Sequence, residues 1–293
     1  MIIQYPVNRN FPCGPILESF DNILERAVPE RKEEIEKLIS SITFEITDNP
    51  KFKLWEILPF PNLITGSRKA IEVIWALSYA YWEIYQKYIC GATSLGQSIF
   101  FDKDVDDSKR LLSWALENIQ SEYDGIELPP NLPSPANNYE PESSAHMAIE
   151  FTQMITAFYL FHELGHIVLK GQCSEQIDEE KACDKYAIDF MLSNCPSNCF
   201  TKRALSISVG FSLLNVIGIH EKYFNGITHP FTYDRLIDNL ENYVDKNDDI
   251  VWGYVIAILS LHLTNQNIAQ PTKEFERFYD CIEEYKNIFK TIT

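Results

Sequence analysis

The stretch FYLFHELGHIVLK, Phe158 to Lys170, governs how the rest of the chain is read, because it sets His162, Glu163 and His166 in an otherwise apolar helical segment. Side chains four apart on a helix leave from one face, so His162 and His166 can share a cation, with Glu163 beside that face near the ion's open position. This is the H-E-x-x-H arrangement of a zinc hydrolase. Two core histidines and a glutamate can also form a polar network satisfied by carbonyl groups. Burying them in so apolar a helix is nonetheless costly unless something offsets their polarity, and a divalent metal does so.

Catalytic zinc takes three protein ligands and keeps a fourth position for water. The next helical segment supplies the third in DEEKACDKYA, Asp178 to Ala187. Glu180 and Asp184 stand four apart, so Glu180 can reach Zn²⁺ while Asp184 hydrogen-bonds a ligand histidine. Glu179 shares an adjacent face with Cys183, Tyr186 and Phe190, and helical phase alone does not choose between Glu179 and Glu180. An acidic cluster of this kind also suits a solvated helix N-terminus, favoured by the dipole. A third piece is THPFTYDRL, Thr228 to Leu236, where Pro230 can open a helix and His229 and Tyr233 fall on one side. Either can donate to an oxyanion; a capping Thr228 and a packed tyrosine is the plainer alternative. His146, His220 and His262 have no ligand-spaced neighbours and receive no role.

Working outward, Pro15 to Val28 and Glu30 to Ile42 read as two surface helices separated by Pro29. TFEIT (Thr43 to Thr47) and FKLWEI (Phe52 to Ile57), joined by DNPK, read as an antiparallel hairpin. Ser67 caps a long buried helix to about Ile89, and another runs from Asp107 to Gln120. Asp102, Asp104 and Asp106 resemble the start of a calcium loop, but Asp107 stands where that loop needs glycine and Ser113 where it needs glutamate. Helices then cover Ser144 to Lys170, ended by a left-handed Gly171, and Asp178 to Asn194, stopped by Pro196. Four more are expected over about Lys202–Phe224, Pro230–Val244, Asp249–Leu263 and Lys273–Lys290. The fold class is therefore mainly α with a small sheet, an α+β zincin-like core around the HExxH helix and the helix that follows it. One domain over 1–293 is expected, with subdomains 1–128 and 142–293 strapped by the proline-rich 129–141.

Composition agrees. The chain has 293 residues, 45% hydrophobic and 13% aromatic, enough for a large core. Its 25 basic against 42 acidic residues give a net charge of −17, which repels a phosphate backbone and speaks against nucleic acid as a partner. Seven scattered cysteines read as reduced thiols. Cys195 and Cys199 could seat a soft metal only with two further ligands, so a helix terminus is the simpler account. The N-terminus shows no secretory signal, and the apolar run Ala204–Ile219 is too short to span a bilayer, so a cytoplasmic protein without membrane contact is expected.

Five stretches, in order, carry a family resemblance: IEVIWALSYAYWEIYQKY (Ile71–Tyr88), LLSWALENIQ (Leu111–Gln120), HELGHIVL (His162–Leu169), EEKACD (Glu179–Asp184) and THPFTYDRL. The chain resembles the Lit-type phage-exclusion metallopeptidases. EEKACD is similar to the ExxAD element of gluzincins, with Cys183 in the place of the alanine, and that likeness selects Glu180 as ligand and Asp184 as its supporter. The resemblance implies limited proteolysis of a host protein during phage infection, with elongation factor Tu as the target class and a phage-encoded peptide as trigger. The residues and the resemblance together predict a cytoplasmic zinc endopeptidase. In it His162, His166 and Glu180 hold Zn²⁺, Glu163 is the general base, His229 or Tyr233 steadies the oxyanion, and the sheet edge pairs with substrate. Two alternatives are a non-catalytic, metal-stabilised binding or sensor module and a similar peptidase acting on another target such as a repressor.

Overall fold

The computed structural model describes residues 16, 20–49, 51–58, 62–89, 106–121, 126–135, 140–221, 232–271 and 275–292. Two short helices, α1 (Ile23–Ala27) and α2 (Lys32–Leu38), each follow a single 3₁₀ turn. Over the described residues they are shorter than the apolar spacing predicts, because the 3₁₀ turns Phe20–Asn22 and Pro29–Arg31 take up the start of each segment. α1 buries Ile23, Leu24 and Ala27 on one face and leaves Arg26 exposed on the other.

Three strands follow: β1 (Thr43–Thr47), β2 (Glu56–Leu58) and β3 (Leu63–Ser67). The expected hairpin is not formed. β1 and β2 are both edges of a sheet ordered β1-β3-β2, with β3 parallel to β1 and antiparallel to β2. The physical reason is burial: Ile64 is fully buried and Thr65 to Ser67 nearly so, and the most enclosed strand takes the centre, where both its ladders are satisfied. At the end of that strand the Ser67 hydroxyl accepts the Ala70 amide at 3.1 Å and so caps the next helix.

The helices are α3 (Arg68–Ile84), continued by a π turn to Ile89, α4 (Asp106–Gln120), α5 (Ser144–Val168), α6 (Gln176–Leu192), α7 (Ser197–Glu221), α8 (Thr232–Leu240), α9 (Asp249–Asn265) and α10 (Phe278–Ile292). The molecule is mainly α with a small sheet. At its hub lies α5, which bears HELGH and packs against α1, α3, α6 and α7. That is why it is apolar nearly all round, with Phe151, Phe158 and Phe161 all but fully buried. Gly171, at φ +77°, turns the chain out of α5 as its position predicts. A single apolar core runs from Ile16 to Phe289. No helix among the described residues is long and apolar enough to cross a membrane. His229, the side chain of His220, Asp102 and Asp104 lie outside the described residues.

Candidate metal centre

α5 and α6 meet where both are small. A methyl group added to Gly165 would lie 3.1 Å from the Cys183 Cα and 3.2 Å from its Cβ, so glycine lets the helices close on one another. That approach aims the first turns of α6 at the histidine face of α5. Glu180 is 8% exposed, His162 9%, and Asp184 fully buried.

The two histidines are held in the same way. His162 Nδ1 lies 3.0 Å from Asp184 Oδ1, and His166 Nδ1 lies 3.0 Å from Glu179 Oε1. Each ring thus spends one nitrogen on a carboxylate and turns Nε2 toward Glu180, whose two oxygens lie 3.5 Å from His162 Nε2 and 3.6 Å from His166 Nε2. Of the two adjacent glutamates that helical phase does not separate, Glu180 faces both Nε2 atoms and Glu179 backs His166.

His162, His166 and Glu180 each offer one donor atom, all within 4.8 Å of one another. Tetrahedral ligands at about 2.0–2.1 Å from zinc stand roughly 3.3–3.4 Å apart. The two nitrogen-to-carboxylate separations approach that figure, and an N,N,O donor set with an open side suits Zn²⁺. The electrostatics agree. Burial opposes a charge on His162, yet Asp184 and Glu180 outweigh it and push its pKa up to about 10. These carboxylates create a demand for positive charge.

Glu163 is also enclosed, and burial raises its pKa above the ordinary carboxylate range, against the pull of His162 and His166; the Ile57 amide lies beside it. A carboxylate with its proton affinity raised in this direction is better suited to take up a proton and release it again. It borders a cavity of about 530 Å³, which opens between α5 and the sheet and has Leu54, Ile57, Phe158 and Leu214 among its apolar walls. The β2 edge therefore stands beside Glu163.

Tyr233 is a correction to the sequence reading. Its ring stacks on Phe289 at 3.8 Å, its hydroxyl is buried with no hydrogen-bond partner among the described residues, and it does not line the cavity. Packing against α10 claims it. The residue of α8 that reaches the centre is Arg235, two positions on, which donates to Asp184 at 2.6 and 2.7 Å and lies 3.6 Å from Glu180. Burial raises the Asp184 pKa on its own, but Arg235 and His162 outweigh it and hold the group below its usual range. Sequence reasoning missed Arg235 and the support that Glu179 gives His166. The available signal for the first was an arginine in the same THPFTYDRL stretch.

Residues 64–255 match the Peptidase U49 family. The chain is 23% identical over 258 residues to the "Cell death peptidase" of Escherichia coli (strain K12), a match that covers 83% of this chain and 86% of that protein. No solved structure matches.

Proposed function

The chain belongs to the Peptidase U49 family and is a peptidase, and from that premise we propose that it is a zinc-dependent endopeptidase of the gluzincin type. One observation carries the zinc: Glu180 facing both Nε2 atoms while Asp184 and Glu179 occupy the Nδ1 atoms. His162, His166 and Glu180 would hold the zinc, which would supply the Lewis acidity that acidifies a water and polarises a peptide carbonyl. Glu163 takes the proton of the attacking water and passes it to the leaving nitrogen. Asp184 and Glu179 keep the imidazoles turned toward the ion. The edge strand β2 offers main-chain groups to an extended substrate, whose side chain enters the adjoining cavity. His229 is the proposed oxyanion donor.

The biological reading rests on the resemblance and on the relative's name. It is a cytoplasmic enzyme of phage exclusion that cleaves elongation factor Tu when a phage-encoded peptide triggers it. The test is a Glu163→Gln variant, which should keep stoichiometric zinc and lose at least about a thousandfold in cleavage. Full proteolysis by that variant removes Glu163 as base, and a variant that is inert as a peptidase yet still protects cells points to a binding module instead. Incubating the zinc-loaded protein with elongation factor Tu, with and without phage lysate, and mapping new N-termini by mass spectrometry tests the target. Fragments from a repressor and none from the factor would reassign it.

A further inference from the structure

Arg235 is 5% exposed, and a guanidinium is rarely taken so far from water without a specific purpose. Its Nε and Nη2 grip both oxygens of Asp184, at 2.6 and 2.7 Å, a fork that fixes the plane of the carboxylate as well as its place. The oxygen bound by Nη2 is the one that faces His162 Nδ1 at 3.0 Å. The same Nη2 lies 3.6 Å from Glu180 Oε2, the oxygen 3.5 Å from His162 Nε2. One guanidinium thus stands behind both carboxylates that bracket the His162 ring. The His166 side differs: its Nδ1 partner Glu179 has a side chain 35% exposed, and no arginine contacts it among the described residues.

We infer that Arg235 is the positioning residue of the metal centre: through Asp184 it sets the His162 ring, and so the bite of the site for zinc. The inference rests on the zinc reading above. An arginine on a third helix, 51 residues along the chain from Asp184, thereby completes a site whose ligands all come from α5 and α6.

The test is zinc affinity, measured by competition with a chromophoric chelator on the full chain. Arg235→Lys keeps the buried charge and loses the two-point grip. Its zinc Kd should weaken roughly ten- to hundredfold, the range found when an outer partner of a metal ligand is removed. The visible bands of the cobalt-substituted protein should also shift, a readout that a purely structural ion pair would leave unchanged. A Kd within about twofold of wild type with unaltered cobalt bands overturns the inference. If Arg235→Lys does not fold, Asp184→Asn is compared with Asp184→Asn/Arg235→Gln, in which no buried charge is left unpaired. A further loss under about twofold means that Arg235 acts through Asp184; a further loss of tenfold or more means that it does not, and overturns the inference. Wild-type protein that binds no zinc overturns the metal reading itself, a different result from equal binding by wild type and variant.

Discussion

His162 and His262 are buried to a similar degree, 9% and 4% exposed, yet the molecule treats them in opposite ways. His262 sits on α9, where its Nε2 lies 2.7 Å from the Tyr81 hydroxyl and 3.1 Å from that of Ser212, and Ser212 donates to Tyr81 at 3.0 Å. Desolvation alone acts on it and pulls its pKa down to about 4. His162 feels the same desolvation, but Asp184 and Glu180 reverse it. Burial therefore does not decide what a histidine does here; the charge of its neighbours does. Hydroxyls around His262 build a neutral strut between α3, α7 and α9, and the carboxylates around His162 gather donor atoms that could hold a cation. Among the described residues, one group of side chains is arranged to hold a metal, and it is the carboxylate-rich one.

The sharpest way to break this contrast is to remove the carboxylate that faces both rings. Glu180→Ala should lose stoichiometric zinc, with affinity falling about a thousandfold, beyond the effect of outer partners; dialysis followed by metal analysis reads it. Retention of one zinc would move the third ligand to Glu179 or Asp178.

The neutral side of the contrast predicts a pH effect of known sign. His262 has a folded pKa near 4 against an ordinary value of 6.5, so the unfolded chain binds the extra proton between those values. Its contribution is complete above about pH 6.5 and is lost as pH falls toward 4, a total of about 3 kcal/mol. Among the described residues no charged side chain acts on the ring to alter that direction. Urea unfolding at a series of pH values should show that much more acid loss in wild type than in His262→Gln, which does not titrate. Equal slopes would mean that burial imposes no such penalty on the ring.

A smaller effect tests the approach of the two helices. Gly165→Ala must push against the Cys183 backbone and should cost about 2 kcal/mol of stability, with weaker zinc binding, because the ligand-bearing helices can no longer close. The smallest, about 1 kcal/mol, belongs to Tyr81→Phe, which removes the hydroxyl between Ser212 and His262 and should leave zinc affinity unchanged. Denaturant midpoints separate the two variants.

Local chemistry was readable wherever its cause was local. The apolar run of α5, the Ser67 cap, the left-handed Gly171 and the pairing of His162 with His166 all follow from spacing within a few residues, and the structure shows each in place. What spacing could not supply was partnership at a distance. DNPK looked like a hairpin turn, but the partner of β1 was β3, hidden in the approach to the Ser67 cap. THPFTYDRL drew attention to its tyrosine, and only the docking of α8 shows that Tyr233 is buried against α10 while Arg235 reaches Asp184. His262 carried no ligand spacing because its two partners come from other helices.

Tyr233 and Phe289 lie face to face, and Lys286 and Lys290 each stand 3.5 Å from Asp234, so the last helix is fastened to α8 at the two residues just before Arg235. The tail of the described chain is thus a keystone: though remote from the imidazoles, it bears on the wedge that squares them. Shortening the protein before Phe289 would bare an aromatic face and slacken that wedge, and the damage would register first as metal leaking from a centre whose own residues were all intact.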